Sequence, residues 1–253
     1  MPSASVGDAH PYTRAIAHAE GWRWRIPLQH RMGNGLVFST AHTEPEAALD
    51  EFRGAVDGEL LRDPFLVRFR TGRRRQAWVR NCVAIGLSSG FVEPLESTAI
   101  HLIQSAVTRL IQLFPFGGGD CAAQRSRYNA LAQDEIEQVR DFVVLHYHLT
   151  ERDDSELWRY LKHMEVPGTL RERIDGFAES ALAWQAAGEV FRVDSWVQCM
   201  LGQRLAPRSW HRMGALMSDG RLRQTMAGLA QDIAKRVATM PSHQQFLDGY
   251  CPR

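Results

Sequence analysis

GLSSGFVEPLESTAIHLIQSAVTRLIQLFP, residues 86–115, joins a predicted strand to a predicted helix. Apolar residues in its second half recur at steps of three and four, so they share one face of a helix. They are Ile100, Ile103, Val107, Leu110, Ile111 and Phe114. Ser97 or Thr98 can cap the start of this helix, and Pro115 followed by glycines ends it. The stretch predicts a helix that begins directly after Glu96.

The residues just before this stretch favour a strand. AWVRNCVAIG, residues 77–86, is mostly apolar and contains β-branched residues, which suits a covered strand. A strand, a small-residue turn and a helix together expose backbone N–H groups where the helix dipole favours an anion. The junction is therefore a candidate site for a halide, phosphate or carboxylate, with Glu96 beside it. The alternative is a plain connection, in which Glu96 only complements the helix dipole.

Two motifs carry a resemblance to a known family. FVEPLEST, residues 91–98, resembles the segment that flavin-dependent halogenases of the tryptophan halogenase family place beside the flavin. WRWRIP, residues 22–27, is similar to the WxWxIP signature of that family. The segments NCVAIG, FRVDSW and LGQRLAPRSWH also resemble it, so the likeness covers residues from Pro11 to about His211.

The resemblance implies roles for residues around the junction. Glu96 matches the catalytic glutamate, which acts on hypohalous acid and on the proton of the arenium intermediate. The backbone amides of Thr98 and Ala99 match the halide site. Leu87 and Ile100 match positions that contact the flavin.

The resemblance also implies cofactors, partners and a substrate. Family members use reduced FAD, supplied by a separate flavin reductase, together with O2 and a halide ion. The implied substrate is a small, electron-rich aromatic such as tryptophan or another indole. The signature residues line the region between flavin and substrate in the family. They are Trp22, Trp24, Ile26 and Pro27.

Two family features are missing from these 253 residues. The sequence contains no GxGxxG turn, which holds the pyrophosphate of a dinucleotide at a helix N-terminus. Its two lysines, Lys162 and Lys235, lie in the late predicted helices and not upstream of the WxWxIP signature, where the family lysine lies. The chain therefore resembles the C-terminal half of a halogenase, and the missing N-terminal half is a possible partner.

The expected fold class is α/β, or α+β within this chain alone. A polar tail over residues 1–10 is expected to be disordered. Residues 11–115 are expected to form part of the FAD-binding and substrate sheet with the central helix, and residues 116–253 a helical C-terminal module.

Local patterns add further expectations. Alternation at residues 22–26 predicts a strand, and Asn34-Gly35 within residues 32–35 predicts a hairpin turn. Thr43 to Glu46 matches a capping box, and residues 65–70 are expected to form a strand. Late helices are expected at 129–149, after a cap at Asp154, after a cap at Thr169, near 195–201 and over 218–240.

Composition narrows the classes of function. The chain is 44% hydrophobic and 23% charged with a net charge of +1, which gives no bulk argument for binding nucleic acid or an anionic membrane. It lacks a membrane-length apolar run, and its first residues do not resemble a secretory signal. Four scattered cysteines are typical of reduced thiols in a cytoplasmic protein, and no metal-ligand spacing is present.

The basic triplet Arg73–Arg75 is interpreted as a solvated loop tip, with a phosphate contact as the alternative.

Two other functions stay open on the sequence alone. One is a flavin-dependent monooxygenase that hydroxylates an aromatic, against which the paired motifs argue. The other is an inactive, truncated remnant or binding module that keeps an aromatic pocket.

Overall fold

The computed structural model describes residues 1–5, 7–117 and 119–251. The chain divides into two compact units. The first contains Met1–Val67, Asp153–Arg159 and His211–Arg253, and the second contains Arg68–Arg152 and Tyr160–Trp210. The boundary expected between residues 115 and 116 instead falls inside the second unit, because the helices on either side of it pack together.

The secondary structure is mostly helical after residue 98. The strands are β1 Pro2–Ser3, β2 Arg14–His18, β3 Gly21–Pro27, β4 Met32–Phe38, β5 Gly72–Arg73, β6 Trp78–Val79, β7 Cys82–Val83 and β8 Gly90–Phe91. The α-helices are α1 Pro45–Ala55, α2 Ala99–Gln112, α3 Ala122–His148, α4 Glu156–His163, α5 Gly168–Ser180, α6 Val193–Gly202, α7 Asp219–Ala238 and α8 His243–Tyr250. Short 3₁₀ turns span Gly86–Ser88, Pro94–Glu96 and Arg212–Leu216.

An antiparallel sheet with the order β1-β4-β3-β2 organises the first unit. The strand predicted at residues 22–26 is confirmed, because these residues lie within β3. Helix α1 follows the sheet and buries Ala48 and Phe52. Glu44 is its N-cap residue and makes no side-chain cap hydrogen bond, so the expected capping box is wrong and Pro45 at the first position marks the start.

The first residues of the chain are not a disordered tail. Pro2 pairs with Gly33 in the sheet, and Ser3 is fully buried. The N-terminal amine of Met1 donates to the carbonyl of Asn34. The expectation of disorder is therefore wrong at the start of residues 1–10, because an edge strand anchors it.

The hairpin turn lies elsewhere than predicted. Strands β3 and β4 are joined through residues 28–31, where the amide of Leu28 donates to the carbonyl of Arg31 at 2.9 Å. Asn34 and Gly35 lie within β4 and pair with Arg25 and Trp24. The long-range pairing of these two residues overrides their local preference for a turn.

Two predicted strands take other forms. Residues 65–70 are irregular, and no strand pairing within the described residues involves them. Residues 77–86 do not form one covered strand. They contain β6 and β7, a tight hairpin in which Arg80 has a φ of 53°. Both segments lack the continuous partner strand that a longer ladder needs.

The second unit is built around α3, which is 27 residues long. Its buried apolar side packs against α5 and α6. That core consists of Phe142, Leu145, Leu170, Ile174, Phe177, Trp196 and Met200. A buried ion pair between Arg173 and Glu189, at 2.9 Å, lies beside it. The helices predicted in the second half are confirmed, but α5 begins at Gly168 with Pro167 as its N-cap residue, so the expected cap at Thr169 is wrong. Helix α7 begins after Ser218, whose side chain caps it.

Candidate functional site

A sharp turn places Glu96 before α2. Pro94–Glu96 forms a 3₁₀ turn, and Ser97 then adopts the left-handed conformation with φ 53°. A left-handed non-glycine residue costs free energy and is most common where function demands a particular geometry. Thr98 is the N-cap residue by position but makes no side-chain cap hydrogen bond. The first amides of α2 therefore have no acceptor within the helix and receive none from the side chain of Thr98.

The carboxylate of Glu96 pairs with a histidine. Its Oε1 lies 3.1 Å from Nε2 of His146, in the last turn of α3. The other ring nitrogen, Nδ1, lies 2.8 Å from the carbonyl oxygen of Phe142. Because both ring nitrogens face acceptors, the geometry suits the protonated imidazolium.

The pKa of His146 agrees with this geometry. Burial disfavours the charge on His146, but hydrogen bonds to Cys199, Glu96 and the Phe142 carbonyl outweigh burial and raise its pKa to about 10. His146 is thus a cation at neutral pH. Nothing local in the sequence connects this histidine to Glu96, so the motif at residues 91–98 does not predict the pair. The described residues contain no cluster of His, Cys, Asp and Glu that could hold a metal ion.

A second carboxylate is held in the same way. The hydroxyl of Tyr147 donates to Oε2 of Glu93 at 2.7 Å. Two consecutive residues at the end of α3 therefore hold two carboxylates of the segment before α2. This arrangement fixes the segment at two points, so Glu96 is positioned by α3 and not by its own turn alone.

The end of α3 is itself fixed by packing. The ring of Phe142 stacks on Phe191 at 3.9 Å and meets Trp196 edge-on at 4.8 Å. It also meets the ring of His146 edge-on at 5.0 Å. The Nε2 of Gln203 donates to the backbone carbonyl of His146 at 3.2 Å. The imidazole beside Glu96 is therefore attached to the buried core of the second unit.

A cavity of about 50 Å³ lies on the other side of the junction. Leu87, Thr98 and Ala99 line it, whereas Glu96 and Ile100 are not among its lining residues. Its polar wall includes Arg109 and Glu135, which pair at 2.8 Å. The structure thus brings three of the predicted site residues around one small cavity at the N-terminus of α2, and places Glu96 toward α3.

The predicted flavin-contacting residues present open apolar surface. Leu87 is 73% exposed and Ile100 is 72% exposed. The rest of the predicted apolar face of α2 is also exposed at Ile103, Val107, Ile111 and Phe114. Such a surface fits contact with a planar ring such as an isoalloxazine or with another polypeptide.

The loop that carries Leu87 is held by the basic triplet. Arg73 pairs with Glu137 at 2.6 Å. The backbone amide of Arg74 donates to the carbonyl of Ser89 at 2.8 Å, and its side chain donates to the carbonyl of Ser88. The interpretation of the triplet as a solvated tip is therefore wrong for Arg73, which is half-buried, whereas Arg74 and Arg75 are exposed.

The signature residues belong to the first unit, where β3 carries all four. Trp22 is 5% exposed and forms part of the core. Trp24, Ile26 and Pro27 are half-buried and pair across the sheet with Gly35, Gly33 and Met32. Within this unit the alternating side chains act in packing.

Comparisons with known proteins agree on one family. The family model described as tryptophan halogenase matches residues 1–219. The 7-chloro-L-tryptophan 6-halogenase KtzR of Kutzneria sp. (strain 744) is 33% identical over 243 residues, covering 94% of this chain and 46% of that protein. The solved structure of Xcc4156, a flavin-dependent halogenase from Xanthomonas campestris, superposes with a TM-score of 0.96 at 43% identity, covering 99% of this chain and 50% of that one. For BrvH, a flavin-dependent halogenase from Brevundimonas sp. BAL3, the TM-score is 0.92 at 42% identity, covering 98% and 51%. The chain thus spans about half the length of these relatives.

Proposed function

Because the chain belongs to the tryptophan halogenase family, we propose that it supplies the halogen-transfer residues of a flavin-dependent halogenase acting on an electron-rich aromatic. The observation that carries this proposal is the carboxylate of Glu96, held by His146 at the turn before α2. A partly exposed carboxylate that a buried helix orients is suited to proton transfer.

The role of Glu96 is proton transfer. Halide becomes an electrophile only after oxidation, for which reduced FAD and O2 would supply the oxidising equivalents. Attack by the aromatic ring on the halogen of hypohalous acid forms the new carbon–halogen bond, breaks the oxygen–halogen bond and leaves one extra proton on the attacked carbon. The departing hydroxide takes up a proton and leaves as water. Glu96 hydrogen-bonds to hypohalous acid and accepts the ring proton, which restores aromaticity.

The halide site is the N-terminus of α2. The backbone amides of Thr98 and Ala99 serve as its donors, and the helix dipole favours an anion there. Alanine provides its N–H as any non-proline residue does. Leu87 and Ile100 contact the flavin ring from the exposed apolar side.

An indole is the favoured substrate class. The relative KtzR is a 7-chloro-L-tryptophan 6-halogenase, and the matching family model is described as tryptophan halogenase. Indole is electron-rich, so it suits attack on an electrophilic halogen. A flavin reductase is the proposed source of reduced FAD.

The exposed face of α2 supports a further partner. A stripe of large apolar side chains on a soluble helix normally lies against something else. Since the chain spans about half the length of its relatives, we assign this stripe to a polypeptide equivalent to their remaining half. We define the α2 stripe as Ile103, Val107, Ile111 and Phe114.

A chimera tests the proposed function. The half of Xcc4156 that this chain does not match is fused to this chain and supplied with FAD, a flavin reductase, chloride or bromide, and indole. Mass spectrometry should detect halogenated indole with the halogen's isotope pattern. A hydroxylated product would replace the proposal with a monooxygenase. A folded, flavin-bound chimera without any product would replace it with an inactive remnant.

A further inference from the structure

We infer that His146 is a positioning residue that fixes the orientation of Glu96. This inference rests on the proposed role of Glu96 in proton transfer. The contact that carries it is the 3.1 Å pair between Nε2 of His146 and Oε1 of Glu96. His146 in α3 therefore belongs to the same site as Glu96, which the motif at residues 91–98 defines only in part.

The orientation of the imidazole is determined independently of Glu96. Its Nδ1 is held by the Phe142 carbonyl at 2.8 Å, and the Phe142 ring meets it edge-on. The ring cannot rotate to follow a mobile carboxylate without losing that hydrogen bond. Nε2 therefore presents a fixed donor, and Oε1 of Glu96 binds to it. We assign Oε2 as the oxygen that receives the ring proton.

The charge of His146 has a direct chemical effect. A hydrogen bond between an imidazolium and a carboxylate is charge-assisted and therefore stronger than a neutral one, so it holds Oε1 of Glu96 in place. The titratable groups that face the imidazole are Glu96 from the 3₁₀ turn and Cys199 from α6.

One test needs no activity. NMR titration of the imidazole in the whole chain should show His146 protonated well above neutral pH. In Glu96→Gln its titration midpoint should fall, because the anionic partner is lost. His148, two residues further along the same helix, is the internal control, and its midpoint should not change. Equal midpoints for His146 in the wild type and in Glu96→Gln would overturn the inference.

A second test uses the active chimera. His146→Ala should lower kcat by up to about a hundredfold, the effect of misplacing a reacting group by roughly 1 Å, while KM for indole stays unchanged. His146→Gln keeps an uncharged N–H donor and should recover part of kcat. His148→Ala should behave like the wild type. The double variant His146→Ala/Glu96→Gln should be no slower than Glu96→Gln alone, since both changes remove the same function.

The two tests distinguish a failure of the positioning role of His146 from a failure of the proposed function. If His146→Ala keeps wild-type kcat and pH profile in a working chimera, the positioning role is wrong and the proposed function stands. If the chimera never halogenates although the titration shows the charged pair, the proposed function fails and the pair remains as a structural contact. A melting temperature measured for each variant identifies loss of activity that comes from unfolding.

Discussion

Gly35 lies directly opposite Trp24 in the antiparallel pair β3–β4, and the indole occupies the space where a side chain of residue 35 would be. A Cβ added at Gly35 would come within 2.2 Å of the ring carbon atoms of Trp24. Contacts that close do not occur between nonbonded atoms, so the absence of a side chain at residue 35 is what lets the signature tryptophan lie flat on the neighbouring strand.

Gly35→Ala should therefore destabilise the fold. Overpacking of this kind typically costs about 1–3 kcal/mol, and chemical denaturation with tryptophan fluorescence measures it. Gly54→Ala is the matched control, because nothing lies within 4 Å of its added Cβ and Gly54 is in α1. That control should be neutral or slightly stabilising. Equal stabilities for the two variants would contradict the packing argument.

The same glycine shows where sequence reasoning is limited. Asn-Gly is a strong local signal for a hairpin turn, yet Asn34 and Gly35 lie inside β4. Asn34 is buried and donates to the hydroxyl of Ser3, and Gly35 accommodates Trp24. Both contacts join residues that are distant in sequence, so a pattern of neighbouring residues does not predict them.

In the candidate site, too, local structure follows from the sequence and contacts between distant residues do not. The helix after Glu96 follows from its own periodicity, and α2 forms with its apolar residues on one face as predicted. Periodicity shows which residues share a face of the helix. It does not show whether another element packs against that face. The partnership of His146 with Glu96 depends on the path of α3 across the unit. Sequence therefore predicted the position of Glu96 but not the residue that holds it.

The raised pKa of His146 predicts a pH dependence of stability. The pKa of a histidine is ordinarily 6.5, and in the folded chain it is about 10. Because the folded value is the higher one, the stabilisation is fully present below 6.5 and is lost as the pH rises through 10. Urea denaturation should show the wild type more stable than His146→Gln by about 1.5–3 kcal/mol at mildly acidic pH, the scale of a charged hydrogen bond. This difference should shrink at alkaline pH, and a constant difference would contradict the linkage.

FAD binding by the purified 253-residue chain should be weak or absent. The sequence has no GxGxxG turn to hold the pyrophosphate, and the predicted contacts at Leu87 and Ile100 reach only the ring. Equilibrium dialysis and flavin fluorescence measure the binding. A yellow protein with near-stoichiometric, tightly held FAD would contradict this prediction. The chimera with the remaining half of Xcc4156 is the positive control.

The α2 stripe should be required for association and not for folding of this chain. Ile111→Glu places a charge in the middle of the stripe, where the side chain is exposed, so the melting temperature should change little. Gln112→Glu adds the same side chain at an exposed position of α2 outside the stripe and serves as the control. When the remaining half of Xcc4156 is supplied as a separate polypeptide, Ile111→Glu should abolish co-purification and Gln112→Glu should not. Co-purification that is unchanged by Ile111→Glu would show that another surface binds that half.

Glu96→Gln distinguishes a catalytic role from a structural one. In the chimera the substitution should lower halogenation turnover by about two orders of magnitude or more, the scale of a lost acid–base group. The change is nearly isosteric, so the fold should persist. If Glu96 only complemented the dipole of α2, the loss would be about 0.3–1 kcal/mol of stability with turnover nearly unchanged. Turnover and melting temperature measured on the same sample separate these outcomes, and Glu93→Gln, which alters the carboxylate held by Tyr147, is a matched control for local disturbance of the turn. Near-normal turnover in Glu96→Gln would remove Glu96 from the reaction and leave the N-terminus of α2 as an anion site alone.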